Sequence, residues 1–236
     1  MKVGSLFSGF GLMDLGLQQA GMEIAWQCEN NKYAQKVLEK HWPGLRRWDD
    51  VRTFPPEPIE EWRVDLIAGG DPCQENSNSR KNGRCSQPSL GGEFIRIIDA
   101  LRPRLVLREN PSAVRSDAPW PWQRFRRKLE KIGYAVLPFR LRACCLGANH
   151  RRDRLFLLAE FKDSMRPRLE RPWSPRKLAF DACRSIRGIG LSESDLVRKR
   201  NGMPNYVERI RGLGNGVFVP CAQWIGERIM EAEANR

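Results

Sequence analysis

The chain is short of the residues that build most metal and disulfide sites. It has two histidines, His41 and His150, and neither stands at ligand spacing from a partner. Its seven cysteines, at positions 28, 73, 85, 144, 145, 183 and 221, are odd in number, scattered, and include no Cys-x-x-Cys pair. That spacing argues against a disulfide framework and a structural zinc site, and no metal is expected. Long apolar runs are missing too, since none approaches the roughly 20 residues of a membrane-spanning helix. Residues 1–13 carry one lysine, lack a small-residue cleavage site and lead into an acidic helix start at Asp14, which is unlike a signal peptide. A cytoplasmic protein is expected. Internal repeats and low-complexity tracts are also absent.

Acidic charge is the scarcer kind. Forty-one Lys and Arg against 28 Asp and Glu leave a formal charge of +13. An excess of this size points to a polyanionic partner, nucleic acid first, held through its phosphates. A generally basic surface is the plainer alternative. The hydrophobic fraction of 41% over 236 residues allows one medium domain with a real core and a small appendage.

Strand and helix patterns alternate along the first two thirds. Residues 2–8 read as a buried strand, followed by a glycine-rich turn and a helix over 13–20. A strand over 23–28, a helix over 31–41 and a short third strand before Asp50 come next. Then follow a strand over 64–68, a helix over 93–101, a strand over 104–107, a helix over 123–132 and a strand over 155–159. This spacing predicts an α/β domain with a mainly parallel sheet. Past Glu160 the character changes: residues 162–200 carry Pro167, Pro172, Pro175 and many Arg and Lys. Residues 222–233 read as a helix returning to the first unit. The expected organisation is a catalytic α/β domain over 1–160, a basic segment over 161–205 and a returning segment over 206–236.

The most telling stretch runs from Asp65 to Gln74. An apolar strand enters a Gly69-Gly70 turn and presents Cys73 directly after Pro72. A free cysteine is usually a small buried hydrophobe. One held at a strand end by a rigid turn, beside a polar basic loop, is placed for thiol chemistry. Phe7-Ser8-Gly9-Phe10-Gly11 lies between the first strand and helix, where glycines admit a ligand to the backbone. Asp14 stands where a dinucleotide fingerprint needs its third glycine, which disfavours a nicotinamide enzyme. Glu29, after the second strand, suits a ribose diol or is a solvated neighbour of a helix start. Asp50 suits an adenine amino group or caps a turn. Glu109, read as a strand end followed by a turn, suits a proton donor or a salt bridge. Arg152 and Arg154 alternate in an extended segment and point the same way, to hold an anionic or carbonyl ligand jointly or to form a basic edge.

In order, Phe7-x-Gly9-x-Gly11, Glu29, Asp50-Val51, Gly69-Gly70-x-Pro72-Cys73-Gln74-x-x-Ser77, Glu109-Asn110, Arg152-x-Arg154 and Gly214-Asn215-x-Val217-x-x-Pro220 resemble the cytosine-C5 DNA methyltransferases. The resemblance spans nearly the whole chain, and it rests on the order more than on any one motif. Asp71 departs from it where a second proline is common, as do Asn76 for Phe, Leu12 for Gly and His150 for Gln.

The resemblance implies an S-adenosylmethionine-dependent, Rossmann-like methyltransferase fold and a DNA (cytosine-5-)-methyltransferase activity. Cys73 would add to C6 of a cytosine flipped out of duplex DNA, with Glu109 on N3, Arg154 on O2 and Arg152 beside it. S-adenosyl-L-methionine would lie against Phe7, Gly9, Phe10 and Gly11, with Glu29 and Asn30 at the ribose, Asp50 and Val51 at the adenine, and Asp71, Asn215 and Val217 completing the site. DNA contacts are expected from Gln74, Ser77, Arg80, Lys81 and Arg84 in a closing loop, and from Arg166, Arg168, Arg171, Arg176 and Lys177 in a reduced target-recognition segment. Compact members of this kind resemble phage and prophage enzymes, as monomers with or without a restriction or specificity partner. An RNA (tRNA) cytosine as substrate, a catalytically silent nucleic-acid binder, and transfer of a modified alkyl group are the competing readings.

Overall fold

The computed structural model describes residues 1–72, 90–111, 121–162 and 206–234. In chain order these form β1 (Lys2–Leu6), α1 (Leu12–Gln19), β2 (Glu23–Cys28), α2 (Lys32–His41), β3 (Arg46–Trp48) and β4 (Leu66–Gly69). They continue as α3 (Gly91–Leu101), β5 (Leu105–Pro111), α4 (Pro121–Lys131), β6 (Tyr134–Arg142), β7 (Asp153–Phe161), α5 (Tyr206–Asn215) and α6 (Val219–Ala234). No helix among the described residues is long and apolar enough to cross a membrane.

Local chemistry accounts for these elements. Strands β4 and β5 open on Leu66-Ile67-Ala68 and Leu105-Val106-Leu107, continuous apolar runs that are buried. Such runs suit strands covered on both faces. Helix α2 starts where the Asn31 side chain accepts from the Tyr33 and Ala34 amides, both at 2.9 Å. Helix α3 buries Phe94, Ile97, Ile98 and Leu101, the spacing of one helical face.

The sheet order is β3-β2-β1-β4-β5-β7-β6, and β7 runs antiparallel to both of its neighbours. One core, under α1 and α6, joins Val3, Leu17, Leu107, Phe156 and Ile225. The other, under α3 and α4, joins Leu6, Trp26, Phe94, Phe125 and Leu157. The strand order reverses between β1 and β4, which run parallel, and in open parallel sheets ligands bind at such a switch point. The register aligns Trp48, Cys28, Leu6, Gly69 and Arg108 in one row across five strands. One residue further along each strand stand Asp49, Glu29, Phe7, Gly70 and Glu109.

Several expectations are corrected. Strand β1 stops at Leu6, because Phe7 turns into the left-handed region with φ 54°. Strand β5 does not end at Leu107: Arg108, Glu109 and Asn110 are buried strand residues, paired through to Pro111 with β7. Strand β6 and helix α5 were not anticipated. Most of the 161–205 segment lies outside the described residues.

Candidate active site

The edge row opens into a cavity of about 700 Å³ whose walls come from both ends of the chain. Gly9 and Gly11 hold φ values of 56° and 73°, which turn the backbone across the cavity mouth. Phe7, the non-glycine residue with positive φ in the same turn, is the kind of strained position that clusters at binding sites. Oε2 of Glu29 accepts from the Gly9 amide and Oε1 from the Asn31 amide, each at 2.8 Å. A carboxylate fixed by two backbone donors keeps lone pairs for ligand hydroxyls.

Beneath the turn lies Asp14, fully buried, accepting from Ser5 Oγ at 2.6 Å and Gln27 Nε2 at 2.8 Å. Burial raises its pKa to about 6 against those two hydrogen bonds. The sequence presents Asp14 as an acidic helix start and as the residue that breaks a dinucleotide fingerprint, and gives it no buried role. Its place among Leu12, Met13 and Leu17 on a buried helical face was the available signal.

Across the cavity, Gly70 passes so close to Glu109 that a Cβ there would sit 2.9 Å from Glu109 Oε2. Glu109 is buried, and desolvation lifts its pKa to about 7, against the opposing charges of Arg154, Arg152 and Arg108. Arg154 Nε lies 2.6 Å from Glu109 Oε1, yet neither atom is aligned in a hydrogen bond.

Asp71 faces away from that pair. Its carboxylate takes two hydrogen bonds from Arg108, at 2.5 and 3.0 Å, and its carbonyl accepts from Asn110 Nδ2 at 3.2 Å. The Arg108 guanidinium also lies 4.1 Å over the Phe125 ring.

The expected residues fall into three groups. Phe7, Gly9, Phe10, Glu29, Asn30, Val51, Asp71, Glu109, Arg154 and Val217 line one cavity. Three others stand apart from it, of which Gly11 lies against Trp42 and Leu38. Asp50 forms a bidentate pair with Arg52, which lowers its pKa, while its neighbours Asp49 and Val51 line the wall. Arg152 stands outside the strand that carries Arg154, so strand alternation does not relate the two. It precedes β7 at φ 26° and donates to the carbonyls of Gly214 and Gly216. The third group, Cys73, Gln74, Ser77, Arg80, Lys81, Arg84, Arg166, Arg168, Arg171, Arg176 and Lys177, lies outside the described residues. Asn215 is the last residue of α5. Burial pushes the thiols of Cys28 and Cys221 up to about 12, which removes both as nucleophiles near neutral pH.

A doubly wound sheet with this strand order, an antiparallel β7 and an acidic, glycine-turned cavity at its switch point defines an α/β methyltransferase. The profile described as C-5 cytosine-specific DNA methylase matches residues 1–189, and the chain belongs to that family. It is 34% identical over 171 residues to the type II methyltransferase M2.BsuMI of Bacillus subtilis, covering 69% of this chain and 43% of that one. It is 32% identical to M.HgiGI of Herpetosiphon aurantiacus over 122 residues, 49% of this chain and 94% of that one. Among solved structures, a candidate DNA modification methyltransferase encoded within an E. coli prophage superposes with a TM-score of 0.56 at 26% identity, over 68% of this chain and 47% of that one. The chain spans 43% to 49% of the length of the first three curated relatives it matches.

Proposed function

We propose that this chain is a DNA (cytosine-5-)-methyltransferase that uses S-adenosyl-L-methionine to methylate C5 of a cytosine in DNA. The observation that carries this reading is Glu109, raised to about 7 by burial, facing Arg154 at 2.6 Å beside Gly70. A carboxyl that is part-protonated near neutral pH can give a proton to ring N3, and the neighbouring guanidinium can hold O2. Cys73, three residues after Gly70 in the sequence, supplies the thiolate that adds to C6 and makes C5 nucleophilic. Once C5 has taken up the methyl group, loss of the C5 proton and expulsion of the Cys73 thiolate from C6 would release the product. A stacked base is out of reach, so the target must be flipped into the site.

The residues fit the cofactor. The cavity volume lies in the ordinary range for ligand sites, and its carboxylates suit a cationic sulfonium. Glu29 would hold the ribose hydroxyls through its remaining lone pairs. The backbone from Phe7 to Gly11 would hold the methionine end, Asn30 would flank the ribose, and Asp50 and Val51 would meet the adenine. Asn215 and Val217 would close the wall from the returning segment. Bound there, S-adenosylmethionine supplies an electrophilic methyl group.

Residues 1–160 serve as the catalytic unit in this reading, and 161–205 as a reduced target-recognition segment with Arg166, Arg168, Arg171, Arg176 and Lys177 on phosphates. Contacts of that kind position a protein without specifying sequence, so relaxed or very short specificity follows. The enzyme acts as a monomer on duplex DNA.

The test is a covalent complex with duplex DNA containing 5-fluorocytosine, formed in the presence of S-adenosylmethionine and lost on Cys73→Ser. Nucleoside mass spectrometry of DNA from expressing cells should show 5-methylcytosine. A complex formed with tRNA and not with duplex DNA would overturn the substrate assignment, and no complex with either would overturn the mechanism.

A further inference from the structure

The basic excess is not spread over the molecule. Residues 1–72 hold eleven acidic and eight basic residues, a net acidic stretch. Residues 121–142 hold seven basic residues against one acidic, so about a tenth of the chain carries nearly half of its net charge.

The fold gathers that charge on one surface. Helix α4 seats Phe125 and Leu129 in the core and turns Arg124, Arg127, Lys128 and Lys131 to solvent. Their i, i+3, i+4, i+7 spacing makes one stripe, about 10 Å long at the helical rise. Arg126, off the stripe, is neutralised by Glu130 at 2.7 Å. The four stripe residues enter no ion pair among the described residues. Strand β6 extends the patch. Tyr134 and Val136 pack under α4 in the second core, and the two-residue period of a strand puts Arg140 and Arg142 on that same side. These two arginines share one partner, Asp153. The register sets Leu141 level with Arg154 and Pro111, so the patch begins two strand spacings, about 10 Å, from the β5 end that carries Glu109.

We infer that the α4 stripe, with Arg140 and Arg142, is a duplex-DNA backbone contact outside the active-site cavity. This rests on the proposed DNA methyltransferase reading and adds the surface that tethers the substrate. The occupant is chosen by charge: four α4 cations that enter no ion pair among the described residues, with two arginines that share one carboxylate beside them, complement consecutive phosphates and carry no sequence information.

The experiment compares two exposed quadruple variants of equal charge. One is Arg124→Gln, Arg127→Gln, Lys128→Gln and Lys131→Gln, and the control is Lys2→Gln, Lys36→Gln, Lys40→Gln and Arg63→Gln. Fluorescence anisotropy on a labelled duplex of about 30 base pairs is read from about 50 to about 200 mM salt. The α4 variant should weaken binding on the order of 10- to 100-fold at the upper salt, equally on any sequence, and lower the log–log salt slope by about three. The control should keep most of the parent's affinity and slope. Equal losses in both variants, an unchanged slope in the α4 variant, or a loss confined to duplex RNA would overturn the surface. Fluorocytosine capture by the parent is scored separately. Capture with an unaltered α4 slope sinks the surface and leaves the enzyme reading, whereas an α4-dependent slope without capture does the reverse.

Discussion

Glu109 sits where a carboxylate is least at home, buried beside three arginines that do not overcome its desolvation, so its pKa reaches about 7. A proton donor is fully charged with its proton only below that value. Methylation or adduct formation should therefore fall as pH rises through about 7, and Glu109→Gln should flatten that limb while slowing the step by on the order of 10² to 10⁴. Single-turnover rates from pH 6 to about 9 would check it, and an unchanged alkaline limb in the variant would sink the assignment. Asp14 invites a stability test at the same scale. Its folded pKa of about 6 lies above the ordinary aspartate value near 3.8, so its contribution is fully present below about 4 and is lost as pH rises through 6. Asparagine can keep both contacts, accepting from Gln27 and donating to the rotatable Ser5 hydroxyl. Asp14→Asn should thus gain on the parent by on the order of 3 kcal/mol between about pH 4 and pH 7 in urea unfolding. Glu109 acts in the same direction, so the quantity to read is the difference between variant and parent.

Strand β5 does three things with three consecutive residues. Arg108 and Asn110, on one face, grip the Asp71 carboxylate and carbonyl, while Glu109 on the other face meets Gly70 and Arg154. The turn that follows β4 is thereby held against the strand that carries Glu109. Because the Asp71–Arg108 pair is buried, removing one partner strands the other: Asp71→Ala or Arg108→Ala should each cost about 3–5 kcal/mol, and the double change Asp71→Leu with Arg108→Met should be close to neutral. Denaturant unfolding of the three variants measures it, and equal losses in single and double variants would refute the clamp. This same strand marks where the sequence stopped being readable. Leu105-Val106-Leu107 announces a strand, but Arg108-Glu109-Asn110 has the composition of a loop, and only partners distant in sequence make its burial tolerable. Strands β1, β2 and β4 and helices α2 and α3 were legible because apolar periodicity and the Asn31 cap are local. Helix α5 was not, since Gly212 and Gly214 weaken its local propensity. Gly212 answers to a tertiary demand: a Cβ there would meet the Phe10 ring at 2.1 Å.

Across the whole molecule, the order of motifs along the chain was informative because the sheet converts it into adjacency. Motifs separated by twenty to forty residues end in one row, since parallel strands deliver their carboxyl ends to a single edge. The far end of the chain reaches that edge by packing α6 on α1, where a Cβ on Gly16 or Gly226 would lie 2.6 Å from Ala222 or Ala20. Arg152 then ties the start of β7 to the Gly214 and Gly216 carbonyls, so the cavity wall at Val217 depends on a contact that no local pattern announces. A ligand gripping both ends of the chain should stabilise the fold as one unit. S-adenosylmethionine at about 100 times its Kd should add about 2.7 kcal/mol, which for a chain of this size is a rise in Tm of roughly 5–11 °C. Arg152→Ala, read at the same ligand concentration, should keep most of the ligand-free Tm and lose most of that rise, because it loosens the wall and leaves both cores intact. A variant that melts like the parent in both conditions would mean that the returning segment takes no part in holding the cofactor, and that the cavity is closed by the glycine turn and Glu29 alone.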